Sequence, residues 1–151
     1  MENVKLSDCI APTFHSLYHD IKKHNYTHYW LSGGRGSTKS SFIGCAIPLI
    51  MVQNPKVNAV VMRKVGATLR DSVYQQILWS LDKLGIRHLF KATVSPMEIT
   101  YTPTGQKILF RGADDKSKIK SIKVSNGYIG IAWFEELDQY AGMEEIRSIN
   151  Q

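Results

Sequence analysis

The most constraining feature of the sequence is a glycine-rich octapeptide, GGRGSTKS, at residues 33–40. The aromatic and apolar run THYWLS precedes it and predicts a strand. The apolar segment SFIGCAIPLIMVQ follows it and predicts a helix that Pro48 must bend or interrupt. Glycines let successive backbone N–H groups converge on an anion, and the N-terminus of the following helix adds its positive dipole end. The octapeptide therefore predicts a phosphate-binding turn between a strand and a helix.

The octapeptide also fits the nucleotide phosphate-loop pattern G-x-x-x-x-G-K-[ST] at Gly33, Lys39 and Ser40, whereas Thr38 replaces a glycine of that pattern. In such a loop the ammonium of Lys39 reaches the β- and γ-phosphates, and the hydroxyl of Ser40 binds Mg²⁺. Nucleotide contacts are predicted along the whole turn: Gly33, Gly34, Arg35, Gly36, Ser37, Thr38, Lys39 and Ser40. A tight glycine-rich turn without a ligand is the alternative interpretation.

A second apolar run, YIGIAWF at residues 128–134, predicts another buried strand, and it ends in Glu135 and Glu136. Glu135 would hold Mg²⁺, directly or through water, and Glu136 would orient and deprotonate the attacking water. The alternative is a solvated helix start, where the dipole favours acidic residues. Arg35 is either a charge stabiliser at the γ-phosphate or a solvated arginine. No convincing guanine-selective motif follows, so we expect ATP with Mg²⁺.

Strands and helices alternate in the first half of the chain. VNAVVM at residues 57–62 is a continuous apolar run, typical of a strand buried on both faces of a parallel sheet. Apolar residues at helical spacing over residues 69–84 predict a helix with Thr68 as its N-cap and Gly85 as its stop. MEITYT and QKILFRG flank residues 103–105 and predict a β-hairpin. This order predicts an α/β fold with a parallel sheet.

Composition places the chain among ordinary globular domains. Its 151 residues are 43% hydrophobic and 21% charged, which suits one domain and excludes disordered, collagen-like and disulfide-scaffold classes. Cys9 and Cys45 lack metal-ligand spacing and are expected to be free thiols in a reducing cytosol. The N-terminus has no signal-peptide pattern, and the longest apolar run, at residues 42–52, is too short to span a bilayer.

The net charge of +6 indicates an anionic partner, most often nucleic acid. A lysine-rich segment is either a DNA contact or a solvated loop: Lys116, Lys118, Lys120 and Lys123. The same two interpretations apply to Arg63, Lys64 and Arg70. The tryptophans are expected in the core rather than as base-stacking platforms: Trp30, Trp79 and Trp133. His15 and His19 form an i, i+4 pair without a convincing acidic third ligand, so no metal site is expected there.

Four segments together resemble the large subunit of tailed-bacteriophage terminases, the motor that packages DNA into a procapsid. They are SGGRGSTKSS, VMRKVGATLRDSVY, ILFRGADDKSKIKSI and IAWFEELD, in order between Leu31 and Asp138. The phosphate-loop form with Arg35 and Thr38 is similar to that of the prophage, PBSX-like, lineage. The resemblance implies a RecA-like (ASCE) P-loop NTPase fold with a doubly wound sheet, in which ATP hydrolysis drives translocation of double-stranded DNA.

The resemblance also implies roles for individual residues. Four of them match the family's nucleotide and Mg²⁺ positions: Lys39, Ser40, Glu135 and Glu136. Arg35 matches the phosphate-loop arginine of the family. Arg111, in the FRG segment, is either a nucleotide-sensing arginine or a plain salt-bridge arginine. The implied catalytic set is Glu136, Lys39, Arg35 and Arg111, and the implied Mg²⁺ ligands are Ser40 and Glu135.

Terminase large subunits are much longer than this chain, so residues 1–151 are interpreted as the N-terminal portion of the ATPase domain, without the nuclease domain. In the family fold, the strand after the acidic pair lies between the strands of the two nucleotide motifs. The sheet is therefore expected to be incomplete at the C-terminus. Two other classes are open: another DNA-dependent P-loop ATPase, such as a helicase-like protein, and a non-catalytic prophage remnant.

The resemblance further implies the partners and the place of action. The expected partners are double-stranded DNA, a small terminase subunit, the portal protein and further copies of the subunit in a ring on the procapsid. No membrane partner is expected. The protein would act in the cytoplasm of the bacterial host, transiently at the portal, and would not stay in the mature virion.

Overall fold

The computed structural model of the chain describes residues 14–23, 39–114 and 122–135. The α-helices in these ranges are α1 (His15–Lys22), α2 (Lys39–Gln53) and α3 (Val73–Lys83). The strands are β1 (Val57–Arg63), β2 (Phe90–Val94), β3 (Met97–Tyr101), β4 (Gln106–Gly112) and β5 (Tyr128–Phe134). Short 3-10 helices lie at Gly66–Thr68 and Arg87–Leu89. The strand predicted at residues 27–32 lies outside the described residues.

The five strands form one mixed sheet in the order β2-β3-β4-β1-β5. β1 runs parallel to both β4 and β5, whereas β2, β3 and β4 form an antiparallel meander. The predicted hairpin is confirmed as β3 and β4, and Gly105 in its turn has a φ of +80°, which favours glycine. The α/β class is confirmed, whereas the predicted parallel arrangement holds only for β4, β1 and β5. The carboxyl ends of these three strands lie at one edge of the sheet, here called the carboxyl edge.

One face of the sheet carries the main core under α2 and α3. Ala59 of β1 is paired with Ile108 of β4 and Ile131 of β5, so these side chains share that face. Ile47 of α2 and Ile77 of α3 belong to the same cluster. β1 is buried along almost its whole length, which confirms the prediction for residues 57–62. The sequence of β1 is continuously apolar because the strand lies between β4 and β5 and both faces of the sheet are covered there.

The other face carries a smaller cluster. It comprises Val60 and Met62 of β1, Leu109 of β4 and Ala113, with Ile122 and Val124 packed on it. Among the described residues no α-helix contributes to this cluster, since α2 and α3 pack on the main core and α1 packs against α2. There the rings of Phe14 and Phe42 stack at 4.8 Å. The described part of the molecule therefore has helices on one side of the sheet.

The prediction that residues 128–134 form a buried strand is wrong on burial, although the strand itself is confirmed as β5. β5 lies at the edge of the described sheet, and Tyr128 and Ile129 are 59% and 36% exposed. An apolar run indicates that a strand can be buried but does not say whether a neighbouring strand covers it. Trp79 also differs from the prediction, since it is 47% exposed with the Lys83 ammonium 4.8 Å from its ring centre, whereas Trp133 is buried.

One helix prediction is wrong, and another is narrowed. α3 begins at Val73, and Thr68 is not its N-cap, because Thr68 ends a 3-10 turn whose hydroxyl donates to the Val65 carbonyl at 2.7 Å. The stop at Gly85 is confirmed by its φ of +73°. Of the two effects predicted for Pro48, interruption is excluded, because α2 continues through it to Gln53, and bending stays a prediction. Most of α2 is buried, and this packing maintains the helix despite the missing N–H of proline.

Two buried amides fasten the amino ends of the strands. The Gln106 side-chain nitrogen lies 2.7–2.9 Å from the carbonyl oxygens of Met51, Asn54 and Val57. The Asn58 amide donates to the carbonyls of Asn126 and Tyr128 at 2.8 and 3.2 Å, and its oxygen accepts the Lys107 N–H at 2.8 Å. These contacts join β4, β1, β5 and the C-terminus of α2 at the edge of the sheet opposite the carboxyl edge. No helix within the described ranges is long and apolar enough to cross a membrane.

Candidate active site

The orientation of α2 directs its N-terminus toward the carboxyl edge. Gln106 fastens the C-terminal end of the helix at the amino ends of β1 and β4, and only a short turn connects α2 to β1. A 15-residue helix is about 22 Å long and a seven-residue strand about 23 Å, so α2 is long enough to return along β1. We therefore expect Lys39 and Ser40, the first two residues of α2, on the side of the carboxyl edge.

The N-terminus of α2 suits an anion by its chemistry. The first backbone N–H groups of a helix have no partner within the helix and carry the positive end of its dipole. Lys39 adds an ammonium group and Ser40 a hydroxyl at this end. The remaining residues of the predicted turn, Gly33 to Thr38, lie outside the described residues, so their contacts stay a prediction.

Glu135 lies at the same edge, directly after β5. Its backbone N–H donates to the Met62 carbonyl at 3.0 Å, which continues the β1–β5 pairing by one residue. Its Oε2 lies 3.2 Å from Nε of Arg63, and only 17% and 14% of the two side chains are exposed. The contact is a close ion pair whose angle does not meet hydrogen-bond geometry. Glu136 lies outside the described residues.

Arg63 links this carboxylate to the loop that follows β1. Its Nη1 donates to the Thr68 carbonyl at 3.3 Å while its Nε faces Glu135. Sequence reasoning treated Arg63 only as a DNA contact or a solvated residue. The missed signal is the position of Arg63 at the end of β1, whose other six residues are buried. A side chain there lies next to the residues that follow the neighbouring strands at the same edge.

The loops after β1 and β4 are held together by backbone contacts. Ala113 and Asp114 donate their N–H groups to the carbonyls of Arg63 and Lys64 at 2.8 and 3.1 Å. The Asp114 carboxylate accepts the Gly66 N–H at 3.1 Å. These bonds fix the backbone of Arg63, so its side chain starts from a defined position at the carboxyl edge.

Arg111 takes part in a different set of contacts. Its Nη2 lies 3.6 Å from Oε1 of Glu98, and its Nη1 donates to the Phe110 carbonyl at 2.9 Å. Lys107 reaches the same glutamate at 2.9 Å. Arg111 alternates with Phe110 along β4, so it belongs to the face opposite the main core, whereas Arg63 belongs to the core face. The salt-bridge interpretation of Arg111 thus has a structural counterpart, and its nucleotide-sensing role stays a prediction.

A cleft of about 480 Å³ opens beside the end of β4, between residues 66–69 and residues 94–97. Arg111, Gly112 and Asp114 contribute to its lining. None of the three candidate nucleotide and Mg²⁺ residues Lys39, Ser40 and Glu135 lines this cleft.

The other sequence candidates are distributed over the chain. Arg70 and Lys123 are exposed, and Lys64 is half-buried. The remaining lysines of the lysine-rich segment, Cys9, Trp30 and Arg35 lie outside the described residues. Cys45 is a buried thiol of α2. Among the described residues no three His, Cys, Asp or Glu side chains are close enough to hold a metal ion together.

Residues that could hold Mg²⁺ together with a nucleotide are Ser40 and Glu135, with Lys39 beside the phosphates. Mg²⁺ prefers hard oxygen ligands, keeps several waters and is bound through one or two protein oxygens plus phosphates. Ser40 and Glu135 supply one hydroxyl and one carboxylate, and Lys39 supplies the cation that phosphates require.

Comparisons with known proteins agree on one family. The family model described as phage terminase large subunit matches residues 23–150. The large terminase subunit of Bacillus phage SPP1 is 39% identical over 151 residues, which is 100% of this chain and 36% of that protein. The PBSX phage terminase large subunit of Bacillus subtilis (strain 168) is 31% identical over 122 residues, or 80% of this chain and 27% of that protein.

The matched region includes both candidate motifs, the turn at residues 33–40 and the acidic pair at residues 135–136. The chain spans about a third of the length of these curated relatives. Since a family model covers most of the chain and two relatives exceed 30% identity, the chain belongs to the phage terminase large-subunit family.

Proposed function

We propose that this chain carries the nucleotide site of a DNA-packaging motor, binding ATP with Mg²⁺ at the carboxyl edge of its sheet. The observation that carries the proposal is the placement of Glu135 at the end of β5, on the same edge toward which α2 directs Lys39 and Ser40. A cation, a hydroxyl and a carboxylate at one sheet edge are the groups that a P-loop ATPase uses.

Each residue has a separate part in the proposed reaction. Lys39 binds the β- and γ-phosphates, and the N–H groups of residues 33–40 surround the phosphate chain. Ser40 and Glu135 hold Mg²⁺, which when bound offsets the charge that develops on the phosphates. Glu136 orients a water molecule and accepts its proton, so that the water attacks the γ-phosphorus and ADP leaves. Arg35 is proposed to stabilise charge on the transferred phosphoryl group, and Arg111 to act as a nucleotide-sensing arginine, for which it would have to leave its ion pair with Glu98.

At the level of the assembly, hydrolysis would drive double-stranded DNA into a procapsid. The supporting argument is family membership, together with the basic net charge of +6. A RecA-like (ASCE) doubly wound fold, a small terminase subunit, the portal protein and a ring of like subunits belong to the same proposal. The site of action would be the host cytoplasm, transiently at the portal. A helicase-like ATPase is the competing function, and DNA-strand separation coupled to hydrolysis would favour it.

Nucleotide binding by the 151-residue chain tests the site itself. A fluorescent ATP analogue is titrated in Mg²⁺ against the wild type, Lys39→Ala and Lys91→Ala. Lys91 is exposed on β2, away from the carboxyl edge, and it matches the charge change. We expect Lys39→Ala to weaken binding by at least about tenfold, because a charged phosphate contact is lost, and Lys91→Ala to bind normally. Equal binding by all three proteins would refute the proposed site.

A further inference from the structure

The ion pair between Arg63 and Glu135 has a consequence for metal binding. Oε2 of Glu135, 3.2 Å from Arg63 Nε, belongs to the carboxylate proposed as a Mg²⁺ ligand. If a divalent cation binds this carboxylate, it is repelled by the guanidinium that contacts the same carboxylate. Because most of both side chains is withdrawn from water, solvent and salt screen this repulsion only weakly.

Both ends of this contact have a fixed backbone. The Arg63 carbonyl accepts the Ala113 N–H at 2.8 Å, and the Glu135 N–H donates to the Met62 carbonyl at 3.0 Å. The Arg63 guanidinium also donates to the Thr68 carbonyl at 3.3 Å. The two charged groups can therefore separate only by rotation of their side chains, while the strands stay in place.

We propose that Arg63 is a positioning residue that holds the Glu135 carboxylate in the metal-free protein and releases it when Mg²⁺ arrives with the nucleotide. The proposal rests on the proposed function, because it takes Glu135 as a metal ligand. Arg63 then sets how much Mg²⁺ is needed, and the site remains in its metal-free arrangement until ATP and Mg²⁺ are both present. It also ties metal occupancy to the loop at residues 64–72, since the same guanidinium contacts Thr68.

The test measures the Mg²⁺ requirement of nucleotide binding rather than turnover. Affinity for the fluorescent ATP analogue is measured from no Mg²⁺ to saturating Mg²⁺ for the wild type, Arg63→Gln and Arg87→Gln. Arg87→Gln removes the same charge elsewhere, where the arginine donates to the Phe90 carbonyl at 2.7 Å. We expect the Mg²⁺ concentration that gives half of the full increase in affinity for the ATP analogue to fall by at least about threefold in Arg63→Gln. In Arg87→Gln this Mg²⁺ concentration and the affinity for the analogue should stay unchanged. An unchanged or higher Mg²⁺ requirement in Arg63→Gln would overturn the proposal, because a purely structural arginine gives that result.

A second measurement needs no variant and covers the case in which Arg63→Gln does not fold. The NMR signal of the Arg63 Nε–H group is followed in the wild type with ATP alone and then with ATP and Mg²⁺. The proposal predicts that the signal shifts when Mg²⁺ is added, since Nε loses its carboxylate partner. A signal that stays unchanged at saturating Mg²⁺ would overturn it.

Glu135→Gln separates this inference from the function on which it rests. If Glu135→Gln leaves the Mg²⁺ requirement of the wild type unchanged, Glu135 is not a metal ligand and the proposed metal site fails. If Glu135→Gln raises the requirement while Arg63→Gln leaves it unchanged, the metal site stands and only the role of Arg63 fails.

Discussion

The backbone of Gly112, at the end of β4, lies directly against the backbone of Gly66 in the loop that follows β1. A Cβ atom at Gly112 would overlap the Cα and N of Gly66 and the Asp114 carboxylate, so no side chain fits there without moving main-chain atoms. The two loops that carry this contact also hold Arg63 in place. The glycine of the FRG segment is therefore required by packing at the carboxyl edge.

Replacing Gly112 by alanine is expected to destabilise the protein by at least about 2 kcal/mol, since backbone must shift in two loops. Gly105→Ala is the matched control. Gly105 has a φ of +80° with open space around it, so alanine there costs only the conformational strain of about 1 kcal/mol. Urea unfolding measures both changes. A loss for Gly112→Ala no larger than that for Gly105→Ala would contradict the close approach.

Gln106→Leu is expected to lower the free energy of unfolding by about 2–4 kcal/mol. The substitution leaves the carbonyls of Met51, Asn54 and Val57 without their shared donor in a fully buried site. Gln75→Leu, on the exposed surface of α3, makes the same chemical change and should stay within about 0.5 kcal/mol of the wild type. Chemical unfolding of the two variants compares them, and similar values would show that the amide does not fasten this edge.

Gly44 on α2 brings this helix close to α3. A Cβ at Gly44 would lie 2.8 Å from Oγ of Ser80, which is fully buried. Gly44→Ala should therefore be neutral or destabilising in the wild type, where the clash offsets the gain in helix propensity. In a Ser80→Ala background the same substitution should stabilise by up to about 1 kcal/mol. A double-mutant cycle by thermal unfolding measures this coupling, and additive effects would contradict the contact.

The sequence was informative wherever local pattern decides structure. β1, α2 and the β3–β4 hairpin were predictable, because a continuous apolar run, a helical segment after glycines and a turn at Gly105 each carry their own signal. The exposure of β5 was not predictable, since it depends on which strands pair with it. Likewise, Lys39, Ser40 and Glu135 were identified as candidates from motifs. The pairing of Arg63 with Glu135 requires knowing that β5 lies beside β1, which no residue pattern specifies.

The placement of nucleotide at the carboxyl edge is tested most directly with a paramagnetic ion. Mn²⁺ with ATP is added to ¹⁵N-labelled protein, and the broadening of each amide signal is recorded. The account predicts the strongest broadening at Ser40, Arg63 and Glu135, and much weaker broadening at Asn58 and Gln106 at the opposite edge, about 16–20 Å away along the strands. Broadening centred on the opposite edge, or none at the carboxyl edge with bound ATP, would contradict the account.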